Sequence, residues 1–342
     1  MELIVNRPLA NTYGWLHANG TKVTAAVSEA VEIKEERPAQ VSAAWEDTGI
    51  LPRLRTGAGE ETGKLLQGLP ERVYRLGAGE AVGDALRLHL DFIASDAGAR
   101  VAFRLEDRAE LTVIMDYTGG NGAAAIQTQV RLGKGAKLRL TQIQRTGSAE
   151  VLINDLGAEC GAGAQLSLVR LVLDGKSTYD GCSVALIGEQ SGFTGDIGYR
   201  VTSGARLDMN YEAIHLGKKT TSEMTASGVL ADGGFKLFRG TIDLRKGCAG
   251  AVGNELENVL MMDDTTHNQT LPVILCGEED VVGNHGAPIG RLDEELIYYL
   301  ESRGMAREEI YDMMARARVD AVIRKIPDEK TVKALLPEDE DE

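Results

Sequence analysis

The sequence GAKLRL at residues 135–140 begins with a Gly-Ala pair and continues with alternating apolar and polar residues. The same pattern returns as GARVAF at 98–103, GAQLSL at 163–168 and GARLDM at 204–209. Glycine accepts the positive φ of a tight turn, and a small alanine fits inside the corner that the turn makes. The alternation after each pair has the period of a half-buried strand. Each copy therefore predicts a turn that leads into a strand.

The four copies predict a stack of β coils. One turn with its strand cannot bury its apolar face alone, so such units stack on one another. The copies are separated by 37, 28 and 41 residues, which is too irregular for a hexapeptide β-helix. This spacing favours several strands per coil and variable loops. Because no helical period occurs between about residues 84 and 290, alternating βαβ units are not expected.

Composition and charge narrow the possible functions. The chain has 342 residues, 40 Gly but only 8 Pro, and a formal net charge of −15. This charge argues against a nucleic-acid or anionic-membrane partner, because either would require a basic patch. The four cysteines are scattered and form no C-x-x-C pair, which is typical of reduced thiols. With no apolar run of 18 residues and no signal-peptide pattern at residues 1–7, we expect a cytoplasmic protein.

The segment CGEEDVVGNHGAPIGR at residues 276–291 concentrates the chemistry of the chain. It brings the thiol of Cys276, the carboxylates of Glu278 and Glu279, and the imidazole of His285 into ten residues. Thiolates are the preferred ligands of iron–sulfur clusters, and imidazole and carboxylate are weaker alternatives. The segment is therefore a candidate metal or cluster site. The alternative is that the acidic residues form a solvated turn and that Cys276 is a packed strand residue.

After residue 290 the apolar period changes to that of a helix. Three acidic residues at 293–295 begin a first helix, a second begins near residue 306, and Pro327 ends it. We accordingly divide the chain into an N-terminal mixed cap (1–83), a β core (84–290) and a helical region with an acidic tail (291–342). The helices could close the end of the β stack, or they could present an apolar surface to a partner.

Two enzymatic interpretations are not supported. The segment GAGEETGK at residues 57–64 resembles a phosphate-binding loop, but Ala58 occupies the place of the first glycine and Leu65 that of the Ser/Thr. A carbohydrate-active β-helix would require aromatic platforms beside paired carboxylates, and only 5% of the residues are aromatic.

Four motifs occur together and in order near the end of the β core. They are LFRG at 237–240, NVLM at 258–261, NHGAPIGRLDEE at 284–295 and the YLESRG segment at 299–304. As a set they resemble the C-terminal core of the SufB/SufD family of iron–sulfur cluster assembly proteins. The resemblance covers roughly residues 84–326.

This resemblance implies a right-handed parallel β-helix, in a mainly β chain with no ATPase activity of its own. It also implies that the C-terminal helices, residues 292–336, bind a SufC-like ATPase and that the β-helix pairs with a SufB-like subunit. In the family a cluster is assembled transiently near that pairing interface, and the histidine implicated there corresponds to His285.

Departures from the family pattern keep alternatives open. The region matching the SufB cysteine, residues 263–270, contains no Cys, and the N-terminal cysteine cluster of many SufB proteins is absent. Both features favour SufD. Pro288, however, replaces the usual Thr, Cys276 is an additional thiol, and the N-terminal region is shorter. A compact scaffold that pairs with a second copy of itself, and a purely structural partner without cluster ligands, are therefore retained as alternatives.

Overall fold

The computed structural model of the chain describes residues 1–46, 54–147 and 149–336. The acidic tail at 337–342 lies outside these residues. Within the described part, no helix is long and apolar enough to cross a membrane.

Twenty strands and four α-helices make up the fold. The N-terminal elements are β1 (Glu2–Val5), β2 (Thr21–Thr24), β3 (Glu29–Ala30), β4 (Ile33–Glu36), β5 (Ser42–Glu46), α1 (Glu60–Leu65) and β6 (Glu71–Leu76). The core strands are β7 (Leu86–Leu105), β8 (Glu110–Leu132), β9 (Lys137–Arg145), β10 (Ala149–Cys160), β11 (Gln165–Asp174), β12 (Ser177–Leu186), β13 (Gly192–Val201), β14 (Arg206–His215), β15 (Thr221–Leu230), β16 (Phe235–Leu244), β17 (Ala251–Met261), β18 (His267–Cys276), β19 (Val281–Gly286) and β20 (Ile289–Gly290). The C-terminal helices are α2 (Glu294–Glu301), α3 (Arg307–Ile323) and α4 (Glu329–Leu335).

The core is a β-solenoid with two strands in each coil. From β8 to β19, each strand pairs in parallel with the strand two places further along the chain. Leu152 pairs with Thr178, 26 residues later, and Phe235 pairs with His267, 32 residues later. The result is an even-numbered stack (β8 to β18) and an odd-numbered stack (β9 to β19), which enclose one apolar core. The predicted β-helix is confirmed.

The Gly-Ala turns occupy two different corners of the coil. Gly135 and Gly163 have φ of +67° between an even and an odd strand, and Gly204 has φ of +69° between an odd and an even strand. Each donates its N–H to a carbonyl of the next coil at 2.8 Å. Because the copies alternate between corners, their spacing does not equal the length of one coil.

Gly98 does not form the predicted turn. It lies inside β7 and lacks a positive φ. A Cβ placed on it would come within 2.5 Å of Leu66 and 2.9 Å of Val27. The glycine is needed there because N-terminal side chains pack directly on the strand.

The first coil is capped by N-terminal strands. Strands β3 and β6 pair in parallel with β7, and β4 pairs with it antiparallel. Glu35 accepts hydrogen bonds from Arg72 and from the Tyr74 hydroxyl, both at 2.8 Å. Beneath them Phe103 is fully buried and stacks on Tyr74. The predicted N-terminal cap is therefore present at this end of the solenoid.

The three C-terminal helices lie along the flank of the odd-numbered stack rather than across its end. Val319 and Val322 of α3 pack with Leu171, and α4 joins the same apolar cluster. Nearer the end of the solenoid, Ile297 and Ile310 pack with Leu260. Of the two arrangements considered from sequence, closure of the end is not observed. The final coil remains uncovered by these helices.

The interior also contains a fully buried polar network. Arg170 donates to Asp180 at 3.0 Å, and the Tyr211 hydroxyl donates to the same carboxylate at 2.5 Å. Asn154 donates to Asp180 at 2.6 Å. Buried charges of this kind are tolerated only when they are paired and hydrogen-bonded. The alternating pattern did not predict this network.

Candidate functional site

The candidate site lies on the last coil, where the stacking ends. Strand β18 pairs with β16 and β19 pairs with β17; within the described ranges neither has a second neighbour on its outward edge. Most β18 residues are only half-buried, unlike those of the strands beneath it. The solenoid therefore ends in an open coil whose inner side chains are accessible.

Both Cys276 and His285 occupy inward-facing positions of this open coil. Cys276 is in register with Leu244, a core residue, and His285 is in register with the buried Glu255. In-register parallel neighbours point to the same side of a sheet. Across the interior, a Cβ on Gly283 would lie 3.1 Å from Ile274, which shows that β18 and β19 face one another.

Cys276 and the acidic residues form the corner between β18 and β19. The Cys276 thiol is exposed and donates to the Glu278 carbonyl at 3.2 Å. The Glu278 carboxylate accepts from the Gly247 N–H at 2.8 Å and the Glu279 N–H at 3.0 Å. These two backbone hydrogen bonds lower the pKa of Glu278. Glu279 itself is exposed at the corner.

The structure does not bring all four predicted residues together. His285 is four residues beyond the start of β19, which places it roughly 13 Å from the corner that holds Cys276. In the described part of the chain, no group of three or more His, Cys, Asp or Glu side chains could hold a metal ion. Roles for Cys276, Glu278, Glu279 and His285 in binding metal remain a prediction.

A buried charged cluster lies directly beneath the open coil, and sequence reasoning missed it. Lys236 forms an ion pair with Glu257, and both side chains are fully buried. Thr270 of β18 donates to Glu257 at 2.6 Å and contacts Lys236 at 3.3 Å. Burial lowers the pKa of Lys236, against the opposing effect of the Glu257 charge. The cluster therefore ties the last coil to the coil beneath it.

Glu255 belongs to the same layer. It is 4% exposed, and burial followed by repulsion from Glu257 raises its pKa to about 7. The sequence ELE at 255–257 contained a signal, because the alternation there is inverted. Its two acids face inward, and Leu256 is 41% exposed on the outside.

An iron–sulfur cluster would find an incomplete ligand set on this chain alone. Clusters are usually held by four protein ligands, mostly thiolates. Only one of the four cysteines is exposed, since Cys160, Cys182 and Cys248 are buried as the sequence analysis predicted. The exposed thiol and imidazole of the open coil fit two of the ligands that a cluster needs. The remaining ligands would have to come from another molecule.

A second exposed surface lies on α2. Tyr298 is 74% exposed, Tyr299 is 51% exposed and Leu296 is 38% exposed. The opposite side of the helix buries Ile297 against the solenoid. The helix is thus fixed on one side and presents large apolar side chains to solvent on the other, as protein interfaces do.

Comparison with known proteins agrees with this architecture. The family model "SUF system FeS cluster assembly, SufBD core domain" matches residues 93–318, which is well over half of the chain. The chain belongs to the SufBD core domain family. The β-solenoid, its open coil and the flanking helices are therefore features of a SufBD member, and the resemblance stated from sequence is confirmed at the level of the family.

Curated relatives include both kinds of subunit. The iron–sulfur cluster assembly protein SufD of Bacillus subtilis is 24% identical over 238 residues, covering 68% of this chain and 54% of that protein. SufB of the same organism is also 24% identical, over 218 residues, covering 64% of this chain and 46% of that protein. A SufBD family protein of Mycobacterium leprae is 25% identical over 199 residues, covering 56% of this chain and 22% of that protein. The chain thus spans about half or less of these relatives, and the equal identities do not separate SufD from SufB.

Proposed function

We propose that this SufBD member is a non-catalytic scaffold subunit for iron–sulfur cluster assembly. Its open coil pairs with a SufB-like subunit or a second copy, and a transient cluster is assembled at that interface as cargo. Its C-terminal helices, residues 292–336, dock a SufC-like ATPase. The observation that carries the proposal is the placement of an exposed thiol and an exposed imidazole on the one coil without an outer neighbour.

The hydrogen-bonding pattern of β18 supports pairing through its edge. The His267 N–H donates to Gly234 and the Gly277 N–H donates to Leu244, so the odd-numbered amides point toward β16. The even-numbered amides between them therefore point away from the solenoid. An unpaired row of this kind is a template for another strand.

Pro272 occupies one of these outward-pointing positions. Proline has no N–H, so it removes a donor from the open edge without weakening the ladder to β16. The proline limits continuous strand addition in the middle of β18 and leaves the edge of β19 uninterrupted. We infer that the partner pairs chiefly along β19, beside His285, rather than along the whole of β18.

The distance between Cys276 and His285 favours assembly between subunits over a site within one chain. Neither residue alone satisfies a cluster, and the described chain supplies no third ligand near either of them. A partner placed along β19 would bring its own ligands next to His285. A weakly completed site is consistent with release of the finished cluster.

A purely structural partner is the second candidate. In that case the chain would hold the ATPase and a SufB-like scaffold in place without ligating iron. The incomplete ligand set is the observation that keeps this candidate open. Cluster yield in variants of the two exposed residues separates the two candidates.

The test is anaerobic reconstitution of the full chain with iron, sulfide and the ATPase, with and without a SufB-like protein. We expect His285→Ala to lower the cluster yield at least tenfold and Cys276→Ser to lower it less. His267→Ala is the matched control, because this histidine is also exposed but lies at the opposite end of β18. Unchanged yields for both site variants in every combination would leave only the structural role.

A further inference from the structure

The corner of the open coil lies directly on a second corner that contains another cysteine. Gly277 donates its N–H to Leu244 at 2.7 Å, and the Gly247 N–H donates to the Glu278 carboxylate at 2.8 Å. A Cβ on Gly277 would lie 3.4 Å from the backbone nitrogen of Lys246. The turn at 277–280 therefore covers the turn at 245–250, in which Cys248 is the fourth residue.

The two thiols of these stacked corners differ in exposure. Cys248 is fully buried within the core, whereas Cys276 is exposed at the edge of the coil. The Cys276 thiol turns along its own corner to reach the Glu278 carbonyl, so it stays above the lower turn. Burial raises the pKa of Cys248, and the charges of Glu278 and Cys276 raise it further, because both lie within electrostatic range.

We propose that Cys276 and Cys248 form a peroxide-sensitive dithiol, in which oxidation of the exposed thiol is resolved by the buried one. The Cys276 thiolate attacks hydrogen peroxide, the O–O bond breaks, and a sulfenic acid and hydroxide are formed. The Cys248 thiol then displaces the sulfenic oxygen as water and forms a disulfide. In total two thiols and one peroxide give one disulfide and two waters.

The disulfide would close one coil of the solenoid, since 28 positions separate the two cysteines. It would also remove the exposed thiol from the open coil. If the chain acts as proposed above, oxidation withdraws this thiol when peroxide threatens the cluster, and reduction restores it. That regulatory consequence rests on the proposed function, whereas formation of the disulfide does not.

The cross-link can be detected directly in the full-length protein. The reduced chain is treated with one equivalent of hydrogen peroxide, and its remaining thiols are blocked under denaturing conditions. Trypsin leaves both cysteines in a single peptide, because no Lys or Arg lies between residues 246 and 291. Cleavage before Asp263 separates them, so digestion at aspartate is required.

We expect two of the four thiols to be lost together, with the peptides of Cys248 and Cys276 joined until a reductant is added. Cys276→Ser should protect Cys248 from oxidation. Cys248→Ala should leave Cys276 as a sulfenic acid that a dimedone probe labels. Cys182→Ser is the control and should leave the cross-link unchanged.

The proposal is overturned if Cys276 is oxidised to a sulfinic acid or joins a second chain while Cys248 remains fully alkylated. The wild-type peptide map gives this answer even if a variant folds poorly. Since cluster assembly is not part of the measurement, a negative result here leaves the proposed function intact. A chain that holds no cluster can equally well form the cross-link.

Discussion

The two ends of the solenoid are built in opposite ways. At the first coil, β3, β4 and β6 pair with β7, and Glu35 is held by Arg72 and Tyr74. At the last coil, β18 and β19 have a neighbour on one side only. A solenoid must manage both of its ends, because an exposed strand edge invites pairing with other chains.

This difference indicates where the molecule is designed to meet a partner. The chain spends its N-terminal strands on one end and extends its C-terminal helices along the flank. The end left without a cover is the one that carries the exposed thiol, the exposed imidazole and a proline on its edge strand. We interpret the first coil as a closed terminus and the last coil as an interface.

The largest contrast is expected in packing energy. Phe103 is fully buried beneath the cap, so Phe103→Ala should lower the free energy of unfolding by about 3–5 kcal/mol. Ile274 is only half-buried in the open coil, and Ile274→Ala should cost about 1 kcal/mol. Denaturant unfolding of both variants measures the difference. Equal losses would show that the last coil is packed as tightly as the first.

The open end should lose stability as the pH rises. Because the pKa of Glu255 is raised to about 7 in the folded chain, folding retains a proton that the unfolded chain releases above its usual pKa near 4.5. The destabilisation therefore develops between about pH 4.5 and 7, and is on the order of 3 kcal/mol. Thermal unfolding of Glu255→Gln across this range should show a flatter pH profile than wild type. An identical slope would contradict the assignment.

The capped end should respond in the opposite direction. Burial raises the pKa of Glu35, but hydrogen bonds from Arg72 and Tyr74 outweigh it and leave the pKa lowered. Its stabilising contribution is present above the unfolded pKa and is lost as the pH falls through the folded one. Glu35→Gln should therefore reduce the sensitivity to acid without affecting the behaviour above pH 5.

Pro272 provides a smaller and more specific test. Pro272→Ala restores one outward amide on the edge of β18, so self-association should tighten about fivefold while the stability of the single chain changes little. Sedimentation at several concentrations measures the change. Pro38→Ala, in the capped region, is the control and should not alter association. The edge interpretation fails if both variants associate alike.

The smallest effect on the chain itself is expected on α2. Tyr298 is 74% exposed, so Tyr298→Ala should change the free energy of unfolding by less than about 0.5 kcal/mol. If the helix docks the ATPase, the same change should weaken binding by at least tenfold. Calorimetric titration with the ATPase gives the affinity. Ile297, which faces the solenoid, is unsuitable as a control because its loss would destabilise the helix.

Much of the core could be predicted from local pattern, and its geometry could not. Turns at Gly135, Gly163 and Gly204 followed from Gly-Ala pairs, because a positive φ is a local requirement. The turn assigned to Gly98 was wrong, since Leu66 is distant in sequence and its packing is a tertiary effect. The alternation between two corners was also hidden, because period-two strands look the same in both stacks.

The site was predicted in its residues but not in its arrangement. The thiol and imidazole were identified by type and by the family motif, whereas their separation along the open coil depends on register. The charged layer beneath, with Lys236 and Glu257, was missed because charged residues are usually assigned to the outer face of a strand. Only the inverted alternation around Leu256 indicated otherwise.

The most direct test of the open-end interface is hydrogen–deuterium exchange of the full chain, alone and with a SufB-like partner. Peptides from residues 267–290 should exchange quickly in the free chain and become protected on binding, with the strongest protection along β19. Peptides from residues 71–105 at the capped end should exchange slowly in both states. Protection at the capped end with none at residues 267–290 would contradict the account.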